Sequence, residues 1–187
     1  MITVRIKNGS FVSAESGRNL SNGLLIERCA ELYCSIWKEP PWNEDFWRPK
    51  EVEQTMLKEL EKDEAVAIFG IAETFDVYGF TWGYKVDIEA MGIIAGHDEL
   101  DKRFAPDSKV FYLDELGVRY DQRRHGVGEF ISRLLLREIA EKRFTSVILR
   151  TDVRAVPARN LYGKLGFLEL SILDKTYSDR SYWIKTI

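Results

Sequence analysis

The sequence predicts an α+β protein in which helices pack over one mixed sheet. Three observations support this class: several short segments alternate apolar and polar residues as strands do, others place apolar residues at helical spacing, and strand patterns stand on both sides of each helix. The 187 residues suffice for one sizeable core but not for two domains of ordinary size. We therefore expect a single domain over residues 1–187.

The N-terminal half predicts, in chain order, a strand, a polar turn, two helices and a two-stranded hairpin. These elements are expected at residues 2–8, 10–20, 21–37, 50–62, and 65–72 with 77–86. Pro40 and Pro41 end the first helix because proline cannot continue the helical hydrogen bonding. Glu59 and Glu61 are assigned to the solvent face of the second helix. The hairpin is expected to turn at Phe75 and Asp76.

The C-terminal half predicts a partly helical segment, a strand, a long helix, a buried strand, a short helix and two closing strands. They are expected at residues 88–104, 109–118, 127–144, 146–151, 157–165, 167–173 and 181–187. Pro157 suits the first turn of the short helix, and Gly166 suits its C-terminal cap.

The strand over residues 109–118 contains a break in its alternation. Phe111 and Leu113 alternate in one phase, and the apolar residues after them alternate in the opposite phase. One extra residue, Asp114 or Glu115, shifts the register, which predicts a β-bulge. Because bulges are frequent next to binding sites, this strand is a candidate wall of a ligand site.

Composition excludes several classes of function. The net charge of −3 argues against general nucleic-acid binding, which needs a basic face. No apolar run approaches the roughly 18 residues of a membrane span, and the N-terminus lacks a signal core, so we expect a cytoplasmic protein. Cys29 and Cys34 fit neither a redox pair nor a metal pattern, and we expect reduced thiols. His97 and His125 stand apart, so no metal site is expected.

A glycine-containing loop follows the bulged strand. It comprises Arg123, Arg124, His125, Gly126, Val127 and Gly128, and an amphipathic helix begins there. Glycines allow a tight turn and a close approach of the backbone to a ligand. The free N–H groups and the dipole of the helix N-terminus attract anions. The loop is therefore a candidate pyrophosphate site.

Two segments between Tyr112 and Phe167 resemble the GNAT superfamily of acyl-coenzyme A-dependent N-acyltransferases. The residues that carry the resemblance are Leu113–Val118 with Arg123, Gly126 and Gly128, and then Asn160, Tyr162, Gly166 and Phe167. Arg124 stands where a glycine is common in the family. The resemblance implies a three-layer α/β/α arrangement with a mixed, mostly antiparallel central sheet and a splayed cofactor cleft.

The resemblance also implies a cofactor, acetyl-coenzyme A as co-substrate, and no metal. Its pyrophosphate would bind the loop backbone, its pantetheine arm would pair with the bulged strand, and Asn160 would contact the pantetheine or the substrate side. The cofactor-binding positions carried over are Leu116, Gly117, Val118, Arg123, Arg124, His125, Gly126, Val127, Gly128, Asn160 and Tyr162.

Acyl transfer to an amine requires that the amine lose a proton and that the departing thiolate gain one. The family match places Tyr162 to donate a proton to the sulfur. Glu115 is the candidate base, with Asp114 as the alternative, and the amine would attack the thioester directly. Trp42, Trp47 and Trp82 are candidate walls of the acceptor site.

The resulting hypothesis is an N-acetyltransferase for a primary amine on a small molecule or a peptide. Two alternatives stay open at this stage: a catalytically silent module that binds acyl-coenzyme A, and a transferase for a longer acyl donor. By analogy with relatives, a homodimer formed through the terminal strands also stays open, and neither nucleic acid nor a membrane is expected as a partner.

Overall fold

A computed structural model describes residues 2–7, 10–15, 22–74, 76–89, 100–105 and 107–187 of the protein. These parts contain eight strands and four α-helices. In chain order they are β1 (Ile2–Lys7), β2 (Ser10–Glu15), α1 (Asn22–Trp37), α2 (Pro49–Leu60), β3 (Val66–Ile71), β4 (Val77–Val86), β5 (Val110–Val118), α3 (Val127–Glu141), β6 (Ser146–Asp152), α4 (Val156–Lys164), β7 (Leu168–Leu173) and β8 (Arg180–Thr186).

Most elements predicted from the sequence are confirmed to within a few residues, but the turn predicted over residues 10–20 is wrong for residues 10–15. Residues 10–15 form β2, which pairs with β1 in antiparallel orientation. Its apolar residues Phe11, Val12 and Ala14 do not alternate strictly with polar ones, so periodicity alone did not indicate a strand. The described residues do not include residues 16–20, residues 90–99 or Phe75 of the predicted hairpin turn. Asp101–Arg103 form a short 3-10 turn.

The strands form a single sheet in the order β2-β1-β3-β4-β5-β6-β8-β7. The pairs β1/β3 and β5/β6 are parallel, and the other neighbouring pairs are antiparallel. The prediction of a mixed, mostly antiparallel sheet is therefore confirmed.

Helices cover both faces of this sheet. On one face, α1 and α2 pack against β3 and β4 around Cys29, Met56, Phe69 and Phe80. On the other face, the apolar stripe of α3 packs against β3, β5 and β6, and α4 joins the same core. The three-layer arrangement is confirmed, and the core on the α3 side includes Phe111 and Leu113 of β5.

The predicted bulge lies in β5 and its extra residue is Asp114. Trp82 of β4 lies opposite Glu115, whereas the next residue, Gly83, lies opposite Leu113, so Asp114 has no partner in the register. A bulge can turn two successive side chains to the same side of a sheet. Asp114 and Glu115 therefore both contact residues of the α1–α2 side.

Strands β5 and β6 pair only over their first halves. Their register begins at Val110 with Ser146 and ends at Leu113 with Leu149. Beyond that point β5 continues beside β4 alone, and β6 continues beside β8 alone. We call the gap between the two diverging strands the cleft. The splayed cleft expected from the sequence is thus present, and the bulge lies where it opens.

Candidate active site

The loop between β5 and α3 has the backbone geometry of an anion site. Arg124 and Gly126 both adopt left-handed conformations, with φ of 65° and 82°. Helix α3 begins at Val127, and no side chain caps its N-terminus. The first backbone N–H groups of a helix have no intrahelical partner, and the positive end of the helix dipole lies beside them. These groups fit the pyrophosphate of a nucleotide cofactor.

Close packing holds the start of α3 against the cleft. A Cβ atom built on Gly128 would lie 3.2 Å from Val118 Cγ2 and 3.3 Å from Leu161 Cδ2. A larger residue would push α3 away from the end of β5 and from α4. Gly128 therefore keeps the loop next to the diverging strand.

Arg123 is already engaged by the protein. Its guanidinium forms an ion pair with Glu39, which follows α1, and its Nε donates to the backbone carbonyl of Val118 at 3.0 Å. These contacts tie the loop to the end of β5. Arg124 and His125 are exposed. Contact of Arg123 with a phosphate stays a prediction, whereas its role in holding the loop is visible.

Glu115 lies at the bulge, half-buried, and faces α1. The hydroxyl of Tyr33 donates to its Oε1 atom at 3.1 Å. Burial raises the pKa of Glu115 well above its ordinary value, and the negative charges of Asp114 and Glu59 raise it further. A carboxylate with a raised pKa holds a proton more strongly near neutral pH, as a general base requires.

Two further carboxyl groups lie beside Glu115. The hydroxyl of Tyr84 donates to Asp114 Oδ2 at 2.9 Å, and the indole N–H of Trp82 donates to Glu59 Oε2 at 2.8 Å. Burial and the neighbouring Asp114 raise the pKa of Glu59 to about 7. We call Glu59, Asp114 and Glu115 the carboxyl cluster.

Tyr162 lies on α4 with its ring in the core. The side chain is 6% exposed, and its ring centre lies 5.9 Å from that of Phe167 and 6.1 Å from that of Trp183. No described residue forms a hydrogen bond with its hydroxyl. Burial and the charge of Glu115 raise its pKa, so the hydroxyl keeps its proton at neutral pH. Its hydroxyl is therefore protonated and can donate a hydrogen bond to a ligand.

The sequence model of the acetyltransferase (GNAT) family matches residues 29–167. The chain belongs to this family. Its general chemistry is therefore acyl transfer, which agrees with the cleft and the loop described above. No curated protein matches the chain by sequence.

Solved structures with the same fold share little sequence with this chain. An acetyltransferase of the GNAT family from Staphylococcus aureus Mu50 has a TM-score of 0.64 and 14% identity, covering 89% of this chain and 95% of that one. Arabidopsis thaliana NAA60 in complex with acetyl-CoA has a TM-score of 0.64 and 15% identity, with coverages of 89% and 95%. An aminoglycoside 6'-acetyltransferase type Ii has a TM-score of 0.60 and 19% identity, covering 92% of this chain and 94% of that one.

The remaining positions carried over from the GNAT family differ in their exposure. Leu116 is half-buried against the α3 core, and the side chain of Val127 is only 1% exposed, so both would reach a cofactor through their backbone. Asn160 is exposed on α4. With Val156, Arg159 and Trp183 it lines a cavity of about 210 Å³.

The three tryptophans predicted as acceptor walls differ in exposure. Trp42 and Trp47 are half-buried, and each presents part of its ring to solvent near Tyr33 and Trp37. Trp82 is 1% exposed and offers no surface to an acceptor. Its indole N–H donates to Glu59, and its contact with an acceptor stays a prediction.

Sequence reasoning missed Tyr33 and Tyr84 and placed Glu59 on the wrong face of α2. Glu59 is directed toward the sheet, where it binds Trp82, while Glu61 is exposed as expected. A signal was available, because Glu59 follows the buried Met56 by three residues and so shares its face of the helix. Tyr33 gave no signal, since an aromatic on the apolar stripe of α1 is ordinary in a core.

The described part of the chain contains neither a candidate metal-binding group nor a disulfide. Among its His, Cys, Asp and Glu side chains there is no group of three or more arranged to hold a metal ion. Cys29 and Cys34 are both unpaired, as expected, and both are buried. Across the described ranges no helix has the length and apolar character of a membrane span.

Proposed function

We propose that this protein is an N-acetyltransferase that moves the acetyl group of acetyl-coenzyme A to a primary amine. The observation that carries the proposal is the position of Glu115. Its carboxyl lies at the bulge where β5 diverges from β6, so the cofactor cleft and the candidate base share one strand.

Binding of the cofactor is assigned to backbone groups. The N–H groups at the start of α3 and in the loop would bind the pyrophosphate, each charge-assisted hydrogen bond contributing roughly 1.5–3 kcal/mol. The stretch of β5 beyond Leu113 lacks a partner strand on its β6 side, and the backbone of Leu116 and Val118 would pair there with the amides of the pantetheine arm. The bound cofactor supplies the activated thioester.

Proton transfer is assigned to side chains on opposite sides of the cleft. Glu115 accepts the proton that the amine releases as it attacks the thioester carbonyl. Tyr162 donates its proton to the departing sulfur, because its hydroxyl is protonated and not engaged by another described residue. Asp114 is the second candidate base, but its carboxyl is turned to Tyr84 and Glu59. A nucleophilic cysteine has no part in the proposal, since both thiols are buried.

The acceptor is proposed to be a cationic amine on a small molecule or a peptide. Three carboxyl groups and the partly exposed rings of Trp42 and Trp47 lie on the α1–α2 side, where a cation would be attracted by charge and by aromatic faces. The similar structures include an aminoglycoside acetyltransferase and NAA60, so the fold alone does not select the acceptor.

A cytoplasmic location also belongs to the proposal.

Calorimetry with acetyl-coenzyme A, followed by a panel of amines assayed for free thiol and acetylated product, tests this proposal. We expect micromolar binding and turnover with at least one primary amine. Panels run with propionyl- and succinyl-coenzyme A compare acyl donors. Binding without turnover on any amine would indicate a silent acyl-coenzyme A module, and faster turnover with a longer donor would contradict acetyl specificity.

A further inference from the structure

Arg180 lies on the β6 side of the cleft, across from Glu115. It is the first residue of β8 and pairs with Asp152 of β6, beyond Leu149, where β5 and β6 separate. Glu115 stands on β5 beyond Leu113, which is the partner of Leu149. The two strands that diverge at the cleft therefore carry opposite charges beside them, a carboxyl group on one side and a guanidinium on the other.

The side chain of Arg180 is directed toward the segment between α1 and α2. Its Nη2 group donates to Glu44 Oε1 at 3.3 Å. Its central guanidinium carbon lies 5.9 Å from the ring centre of Trp42 and 4.6 Å from that of Tyr177. Aromatic faces attract a guanidinium without using its N–H groups. The side chain is 24% exposed, so a ligand in solution can reach it.

A continuous series of contacts connects Arg180 with the candidate base. Glu44 accepts a hydrogen bond from the indole N–H of Trp47 at 2.6 Å. The Trp47 ring packs edge-on against that of Tyr33, with 5.6 Å between ring centres, and the hydroxyl of Tyr33 donates to Glu115. Arg180 and Glu115 are thus parts of one packed wall on the proposed acceptor side.

The guanidinium of Arg180 is incompletely paired. Glu44 offers it one oxygen, because the other oxygen accepts from Trp47, and the Arg180 Nε atom is buried without a hydrogen-bond partner among the described residues. Arg150 on β6 differs, since its Nη1 group lies 2.6 Å from Asp174, a carboxylate only 2% exposed. A guanidinium has several N–H donors in a planar fork, so Arg180 retains donors for a further anion.

We propose that Arg180 binds a carboxylate of the acceptor, so that the acceptor is an amine that also carries a carboxylate, as an amino acid does. This inference rests on the proposed function and narrows its acceptor class. A planar guanidinium matches a carboxylate through two parallel hydrogen bonds. With its carboxylate on Arg180, such a molecule would direct its amine across the cleft toward Glu115.

A panel of amino acids, each paired with its own carboxamide, tests this proposal in the acetylation assay. The readout is the ratio of kcat/KM for the acid to kcat/KM for the amide. Because the carboxamide also changes the reactivity of the amine, this ratio is compared between protein variants. In Arg180→Gln it should fall by roughly 10- to 100-fold, the range expected for lost charge-assisted hydrogen bonds.

Arg180→Lys and an arginine outside the site complete the series. Arg180→Lys keeps the charge but not the planar fork, so its ratio should lie between those of the unmodified protein and Arg180→Gln. Arg137→Gln, at an exposed position on α3, is the matched control and should leave the ratio unchanged. An equal loss of rate on acid and amide in Arg180→Gln would show a merely structural arginine and overturn the inference.

Glu44→Gln provides a second variant, which keeps Arg180 in place. The amide oxygen can still accept from Trp47 or Arg180, but the negative charge that competes with the carboxylate of the acceptor is removed. The acid-to-amide ratio should therefore rise, in the direction opposite to Arg180→Gln. A ratio that stays constant or falls in a folded Glu44→Gln protein would contradict the proposal.

Calorimetry on the protein saturated with coenzyme A separates this inference from the proposed function, because coenzyme A has no acyl group to transfer. The amino acid should bind more tightly than its carboxamide, and Arg180→Gln should abolish the difference. If this difference is present while no amine is acetylated, the proposed function fails and the carboxylate site stands. If amines are acetylated without it, the inference fails and the proposed function stands.

Discussion

The two proposed sides of the site differ in the groups that form them, backbone N–H groups on one and side chains on the other. The proposed cofactor side is a continuous loop, residues 123–128, with backbone N–H donors at a helix start. The proposed acceptor side consists of side chains from four elements, with Tyr33 on α1, Glu59 on α2, Tyr84 on β4 and Glu115 on β5.

This difference predicts how each side responds to substitution. A backbone site depends on local conformation, so most side-chain changes in the loop should be tolerated except where the conformation or a close approach requires glycine. A side-chain site depends on the exact chemical group and its charge, so even an isosteric change should alter its chemistry. The following substitutions test this comparison in order of decreasing expected effect.

Glu115→Gln should have the largest effect. The amide oxygen can still accept from Tyr33, so folding and cofactor binding should persist, while the loss of a proton acceptor should reduce kcat by roughly 10²–10⁴-fold. The rise of kcat/KM with pH through the raised pKa of Glu115 should also disappear. Steady-state rates measured over roughly pH 5–9 test both effects. Glu141→Gln, at an exposed position, is the control.

Asp114→Asn distinguishes the two candidate bases. If Glu115 is the base, Asp114→Asn should reduce kcat far less than Glu115→Gln does. The reverse order of the two losses would assign the base to Asp114.

Tyr162→Phe should reduce kcat by about 10²-fold if the hydroxyl protonates the sulfur. The ring contacts with Phe167 and Trp183 remain, so the free energy of unfolding and the affinity for acetyl-coenzyme A should change little. Thiol release at saturating substrate is the measurement, and Tyr120→Phe, at a residue 76% exposed, is the control. Unchanged turnover would remove the acid role from Tyr162.

Gly126→Ala should raise the Kd for acetyl-coenzyme A by about 10-fold. A Cβ at a φ of 82° costs roughly 1–2 kcal/mol, which the loop would relieve by moving its N–H groups. Calorimetry measures the loss. Gly23→Ala, where a Cβ would meet open space, is the matched control, and equal affinities in the two variants would contradict a backbone-defined site.

A double-mutant cycle between Arg123 and Glu39 should show the smallest effect. The two side chains of this ion pair are 34% and 31% exposed, and ion pairs near the surface contribute about 0.2–1 kcal/mol. Each single change should therefore weaken cofactor binding by less than about 5-fold, and the double change should add little. Calorimetry of Arg123→Ala, Glu39→Gln and the double variant completes the cycle. A much larger loss for Arg123→Ala than for Glu39→Gln would show that the guanidinium also reaches the phosphate.

The sequence by itself determined the features that depend on neighbouring residues along the chain. The phase change between Leu113 and Leu116 predicted the bulge, glycines before an apolar stripe predicted the loop and α3, and the order of strands and helices predicted the layers. Local sequence was sufficient there because backbone conformation and amphipathic periodicity are set within one or two turns.

Only the tertiary structure decided which distant groups meet. β2 is a strand because an edge of β1 pairs with it. Arg123 forms an ion pair with Glu39, and Glu59 of α2 accepts a hydrogen bond from Trp82 of β4. Periodicity reports which face of an element is buried but not what it is buried against. The charge and proton affinity of the carboxyl cluster depend on those contacts, since Coulomb and desolvation energies are set by distances in space.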